Sequence, residues 1–209
     1  MNLIRPIILA SSSPRRRELL EQVGIPFEVD TSDADETMGD GIKPPDYVEE
    51  LSRRKAEAVA IRHPHEVILG ADTIVAFDDK ILGKPADVDE AYGMLCMLAG
   101  RTHSVYTGVT LIFPQGADGQ ERDMETFHVK TDVKMYDSDK QILREYAKSG
   151  EPLDKAGAYG IQGRGAILVE KIDGDYSNVK GLPVAEVYRR LYHNFPSSGQ
   201  AISTTFSII

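Results

Sequence analysis

A chain of 209 residues is long enough for one large α/β domain or two small lobes, and its 41% apolar content holds no run long enough to span a bilayer. A net charge of −9 disfavours a broad nucleic-acid surface, which needs basic side chains against phosphate. The single cysteine excludes an internal disulfide framework and suits a reducing cytosol, so a cytoplasmic protein without membrane or stable nucleic-acid partners is expected.

Ile7-Ile8-Leu9-Ala10 reads as a strand. Arg5, Pro6 and the turn at Ser11–Pro14 interrupt this apolar start, so no signal peptide is expected. Ser13 as N-cap and Pro14 in the first position open a helix that turns Leu19, Leu20 and Val23 inward and stops at Gly24. Phe27–Val29 reads as a second strand, and residues 31–45, acidic and rich in Gly and Pro, as a mobile loop. A helix over 46–61 precedes the apolar run Val67–Val75 and a short strand at 80–82. Asp87-Val88-Asp89-Glu90 resembles a capping box and opens a helix ending near Gly100, in which Cys96 reads as a core thiol. Stretches 103–113 and 122–136, flanking the turn-rich segment 114–120, form an expected hairpin. A helix over 137–148, a Gly-rich segment 156–165, a strand over 166–172 and a helix over 183–193 complete the pattern. With neither repeats nor a linker, residues 1–195 read as a single domain, and 196–209 as an unassigned tail.

Asp72 stands out because it lies inside the run Val67–Val75, flanked by Ala71 and Thr73. An ionised carboxylate is expensive to bury alone, so a cation or a metal is expected to face it. Lys55 falls in the helical stripe Val48, Leu51, Lys55, Ala58, either snorkelling past the core or pointing into a site. Lys84, on the turn Gly83-Lys84-Pro85, supplies a second cation. The Ser11-to-Arg16 segment joins strand to helix, where free N–H groups and the guanidinium forks of Arg15 and Arg16 suit an anion. It lacks the Gly spacing of a Walker A loop. Glu36, in the acidic run 33–36, is either solvated or a second carboxylate for a divalent cation beside Asp72. Gln162 in the Gly-rich segment has the donor and acceptor needed to read a base edge.

Taken together, these segments resemble the Maf family of nucleoside triphosphate pyrophosphatases. The likeness runs through Leu9–Arg16, Lys55-Ala56, Gly70–Thr73, Gly83–Pro85, His103–Val109, Gly150–Gly163 and Gly181–Pro183, in the family's order, over about residues 7–193. It implies an α/β fold of the inosine-triphosphatase kind: a mixed, twisted sheet flanked by helices, in two lobes around a central cleft. It implies attack of water on the α-phosphorus of a nucleotide and a Mg²⁺ or Mn²⁺ ion held by Glu36, with Asp72 activating the water, holding the metal or doing both. Ser11, Arg15, Arg16, Lys55 and Lys84 are then expected on the phosphates, and Thr73 and Gln162 on the base. Arg15, Thr73 and Gln162 match the dTTP/UTP-type branch, rather than the 7-methyl-GTP branch. A homodimer is a further implication. A nucleotide-binding regulator of cell division without turnover is the alternative from another class.

Overall fold

The computed structural model describes residues 5–39, 41–78, 80–114 and 123–194. The tail 196–209 and most of the turn expected at 114–120 lie outside the described residues. Seven strands form one mixed sheet: β1 (Ile7–Leu9), β2 (Phe27–Val29), β3 (Val67–Phe77), β4 (Lys80–Leu82), β5 (Thr102–Ile112), β6 (Met124–Met135) and β7 (Val169–Asp173). The order is β2-β1-β3-β5-β6-β7, with β4 pairing β3. The expected hairpin is present: β5 and β6 pair antiparallel from Thr102↔Lys134 to Ile112↔Met124.

The helices are α1 (Pro14–Gln22), α2 (Pro44–Ala60), α3 (Val88–Leu98), α4 (Lys140–Lys148), α5 (Tyr176–Lys180) and α6 (Val184–Asn194). Short 3-10 turns cover Glu151–Asp154, Ala156–Ala158 and Gly163–Leu168. Several expectations shift. α2 begins at Pro44, because prolines suit the first helical positions. α4 begins only at Lys140, after its cap Asp139. The strand expected from 166 begins at Val169, because 163–168 coil as a 3-10 turn. Ser13 sits at the N-cap of α1, yet its side chain makes no capping bond. Asp87 does cap α3, accepting from Glu90 N–H at 2.8 Å. Cys96 is half-buried and packs against the core.

The long strand β3 organises the molecule. One edge pairs with β5 from Ile68 to Ala76. The other edge pairs with β1 over 67–69 and with β4 over 75–77. Between these partners no strand among the described residues covers the edge at residues 70–74, and Asp72 stands at its centre. The apolar cores divide at the same place. One gathers Val67, Leu69 and Ala71 of β3 with α1, β1 and α6. The other gathers Val75 and Phe77 with α3, α4 and β6. A third cluster joins Ile68 and Ile112 to Ala56 and Val59 of α2, and the two lobes share β3 and its partner β5, with the cleft opening where their cores part.

α2 lies flush on the sheet because two strand residues lack side chains. A Cβ at Gly108 would come within 2.1 Å of the Val48 carbonyl oxygen, and one at Gly70 within 2.3 Å of that of Ser52. Gly108 is the registered partner of Asp72 on β5, so this close approach seats α2 beside Asp72. The helix buries Val48, Leu51, Ser52, Ala56 and Val59. Lys55 thus flanks the buried stripe instead of lying within it.

Candidate active site

A cleft of about 670 Å³ opens above the uncovered edge of β3. Ser11, Arg15, Arg16, Glu36, Lys55, Asp72, Thr73, Lys84 and Gln162 all line it, so every side chain singled out in the sequence converges there.

At its floor Asp72 is 9% exposed. Its Oδ1 accepts from Lys55 Nζ at 2.6 Å, and the same ammonium lies 2.9 Å from Glu36 Oε1. Glu36 comes from the loop after β2, so this ion pair ties an otherwise irregular segment across the cleft. Asp72 Oδ2 accepts no hydrogen bond among the described residues, which leaves one carboxylate oxygen for a ligand or a water. Glu36 and Asp72 converge on the Lys55 ammonium, and one or two carboxylates are what a hard cation such as Mg²⁺ uses, its shell completed by water and phosphate oxygens. Among the described residues no group of three or more His, Cys, Asp or Glu forms a fuller cage.

Arg15 and Arg16 of α1 part company. Arg15 crosses the cleft to Asp154, donating to Oδ2 at 2.7 Å and to the backbone oxygen at 3.3 Å. Burial would raise the Asp154 pKa, but hydrogen bonds from Lys155 and Arg15 prevail and hold it below the usual carboxylate range. Arg16 is 8% exposed and spends its guanidinium on the protein. Nε donates to the Gly181 carbonyl at 2.9 Å, Nη1 to Ser11 Oγ at 2.8 Å and Nη2 to Thr73 Oγ1 at 3.2 Å. Burial lowers its pKa, opposed by the charge of Asp72. Arg16 thus pins α1, β3 and the end of α5 together. Thr73 is similarly engaged, meeting Thr107 Oγ1 at 2.9 Å.

Lys84 and Gln162 are exposed in the cleft wall, and neither side chain has a hydrogen-bond or ionic partner among the described residues. The site also contains further groups, most of which sequence reasoning did not single out. Tyr47 lines it, its pKa raised by burial and by Asp72 and Glu36. Lys180, 7% exposed, pairs with Glu18 at 3.0 Å. Lys155 Nζ lies 2.6 Å from both the Glu151 carbonyl and Asp154 Oδ1. Tyr159, at the cleft wall, meets buried His103 Nε2 at 2.7 Å. The acidic and basic residues within 151–155 were the available signal for part of this set. Lys180 lies on a five-residue helix that leaves no periodicity to read.

A mixed α/β fold whose cleft surrounds two carboxylates with lysines and arginines defines a binder of a small polyanion. Residues 6–194 match the family model described as Maf-like protein, and the chain belongs to that family. It is 49% identical over 188 residues to a protein of Bacillus mycoides named dTTP/UTP pyrophosphatase, covering 90% of this chain and 95% of that one. It is 51% identical over 183 residues to one of the same name from Nitratidesulfovibrio vulgaris, covering 87% and 84%. A solved structure of the Staphylococcus aureus Ham1 protein covers 64% of this chain and 73% of its own at a TM-score of 0.42 and 13% identity, too slight a likeness to carry an argument.

Proposed function

We propose that this chain is a nucleoside triphosphate pyrophosphatase that hydrolyses dTTP and UTP to the monophosphate and pyrophosphate. The observation that carries the reading is the Glu36–Lys55–Asp72 cluster on the floor of a cation-lined cleft. Relatives of that name, alike over nearly their whole length, support the same substrates. The catalytic unit is read as residues 1–195, acting in the cytoplasm and assembled as a homodimer. Among the described residues no helix is long and apolar enough to cross a membrane.

Phosphoryl chemistry calls for alignment and charge neutralisation more than for covalent help. In this mechanism a water held by the free Oδ2 of Asp72 attacks the α-phosphorus and gives its proton to that carboxylate. The new P–O bond forms as the bridge between the α- and β-phosphorus breaks, and pyrophosphate leaves. Lys55 holds Asp72 in place and, with Lys84, Arg15 and the N-terminus of α1, offers donors to phosphate oxygens. Ser11 and Arg16 brace this wall through their mutual bond. Glu36 and Asp72 would hold a Mg²⁺ or Mn²⁺ ion, which supplies charge neutralisation of the triphosphate when bound. Gln162 and Thr73 face the base.

The test is pyrophosphate release from UTP, dTTP, CTP, ATP, GTP and 7-methyl-GTP, with Mg²⁺, with Mn²⁺ and with a chelator. UTP and dTTP are expected to lead, and the chelator to stop turnover. Asp72→Asn, which keeps the shape and removes the charge, is expected to lower kcat by at least about a hundredfold in a folded protein. Wild-type turnover by that variant sinks the mechanism, and binding without any release favours the regulator.

A further inference from the structure

Gln162 makes no side-chain hydrogen bond among the described residues, so its aim is decided by the backbone that carries it. That backbone, from Gly160 to Gly165, is irregular before it enters the 3-10 turn at Gly163. Three of its N–H groups nevertheless converge on two side chains. Gly160 N–H donates to Tyr146 Oη at 3.3 Å, Arg164 N–H to Glu151 Oε2 at 3.1 Å and Gly165 N–H to Glu151 Oε1 at 3.1 Å. The Tyr146 hydroxyl closes the ring by donating to Glu151 Oε1 at 3.1 Å. Tyr146 belongs to the buried core of its lobe, so the clasp is anchored in rigid structure. Glu151 is anchored in turn, because its carbonyl accepts from Lys155 Nζ.

The loop is built to fit this clasp. A Cβ at Gly165 would lie 2.6 Å from Tyr146 Oη and 2.3 Å from the Gly160 carbonyl oxygen. Gly163 has a φ of +68° and faces the Glu151 carboxylate, where a Cβ would stand 3.0 Å from both oxygens. Carboxylate acceptors make the stronger hydrogen bonds of a protein. Burial alone would raise the Glu151 pKa, but the N–H groups of Gly165 and Arg164 outweigh it and hold the group ionised further into acid.

We propose that Glu151 and Tyr146 are positioning residues that hold the Gln162 loop against the cleft and thereby set how tightly and selectively the base is bound. The inference rests on the reading of Gln162 as a base contact. Glu151 and Tyr146 act through the loop, at one remove from the phosphates. Their loss therefore raises KM for the preferred nucleotide and leaves the phosphate chemistry in place.

The experiment compares wild type with Glu151→Gln, Tyr146→Phe, Gln162→Ala and the double variant Glu151→Gln/Gln162→Ala. It records kcat and KM for UTP and ATP, and amide hydrogen exchange over 160–165. Glu151→Gln keeps the shape but presents an amide N–H₂ where an acceptor is needed. It is expected to raise KM for UTP about tenfold, hold kcat within about twofold, and narrow the preference for UTP over ATP by a similar factor. Tyr146→Phe follows in the same direction by about threefold and covers the case in which Glu151→Gln does not fold. In the Gln162→Ala background the Glu151 substitution is expected to add less than about twofold, because both act through one contact. An unchanged KM, an equal loss for both nucleotides, or fully additive costs overturns the proposal. If wild type releases pyrophosphate from no nucleotide, the function reading falls, and exchange then judges the clasp. Protected Arg164 and Gly165 amides that open in both clasp variants sustain it, and equal exchange in all proteins overturns it.

Discussion

Asp72 shows how far a single residue can be read. A carboxylate inside a β-branched run breaks its own pattern, and the structure gives it the expected cation, Lys55 at 2.6 Å. Lys55→Met tests whether that lysine serves chemistry or merely fills space. With the ammonium gone, Glu36 and Asp72 lose the cation between them and repel. A fall in kcat of about a hundredfold or more is expected in a steady-state UTP assay, and unchanged kcat and KM would restore the snorkelling alternative. Arg16 was legible only as a cation. Its three acceptors come from residues 11, 73 and 181, and nothing local tells a guanidinium that faces phosphate from one spent on such distant groups. The Arg15–Asp154 bridge was hidden for the same reason, since its partners stand 139 residues apart.

Among the elements, α2 carries the clearest dependence of site on packing. Its approach to β3 and β5 requires Gly70 and Gly108, whose absent side chains admit helix backbone. Gly108→Ala is expected to push the helix outward, cost about 1–3 kcal/mol by denaturant unfolding and separate Lys55 from Asp72. Turnover should therefore fall further than stability alone accounts for. A fully active, equally stable Gly108→Ala protein would show that the contact is unimportant. The long strands, the long helices and the β5–β6 hairpin were legible because their periodicity spans many residues. α5 was not, because five residues hold too little pattern, and residues 166–168 at the end of the 3-10 turn were mistaken for strand because they run apolar into β7.

For the molecule as a whole, acid should act before the carboxylates protonate. His103 is 3% exposed, and burial drives its pKa down to about 4 from an ordinary 6.5, against the opposing charge of Asp132. Between those values the unfolded chain binds the proton and the folded one does not. Stability contributed by the neutral imidazole is thus complete above about pH 6.5 and lost as pH falls, by about 3 kcal/mol at pH 4. Urea midpoints measured from pH 7 to pH 4 should decline, and His103→Gln should flatten that slope even though it lowers the midpoint at neutral pH. An unchanged slope would mean that the proton enters elsewhere. The two-lobed plan was legible through resemblance alone, because no composition shift marks the boundary between two cores that share a strand.

That shared strand has a mechanical consequence. Lobes joined by a flexible connector swing like a door, but here β3 and its partner β5 run unbroken through both halves, registered from Ile68↔Ile112 to Ala76↔Ser104. The cleft can widen only by twisting a paired ladder, a stiff spring with small travel. Nucleotide capture in this architecture belongs to side chains and edge loops, while the floor beneath the reacting phosphorus stays fixed.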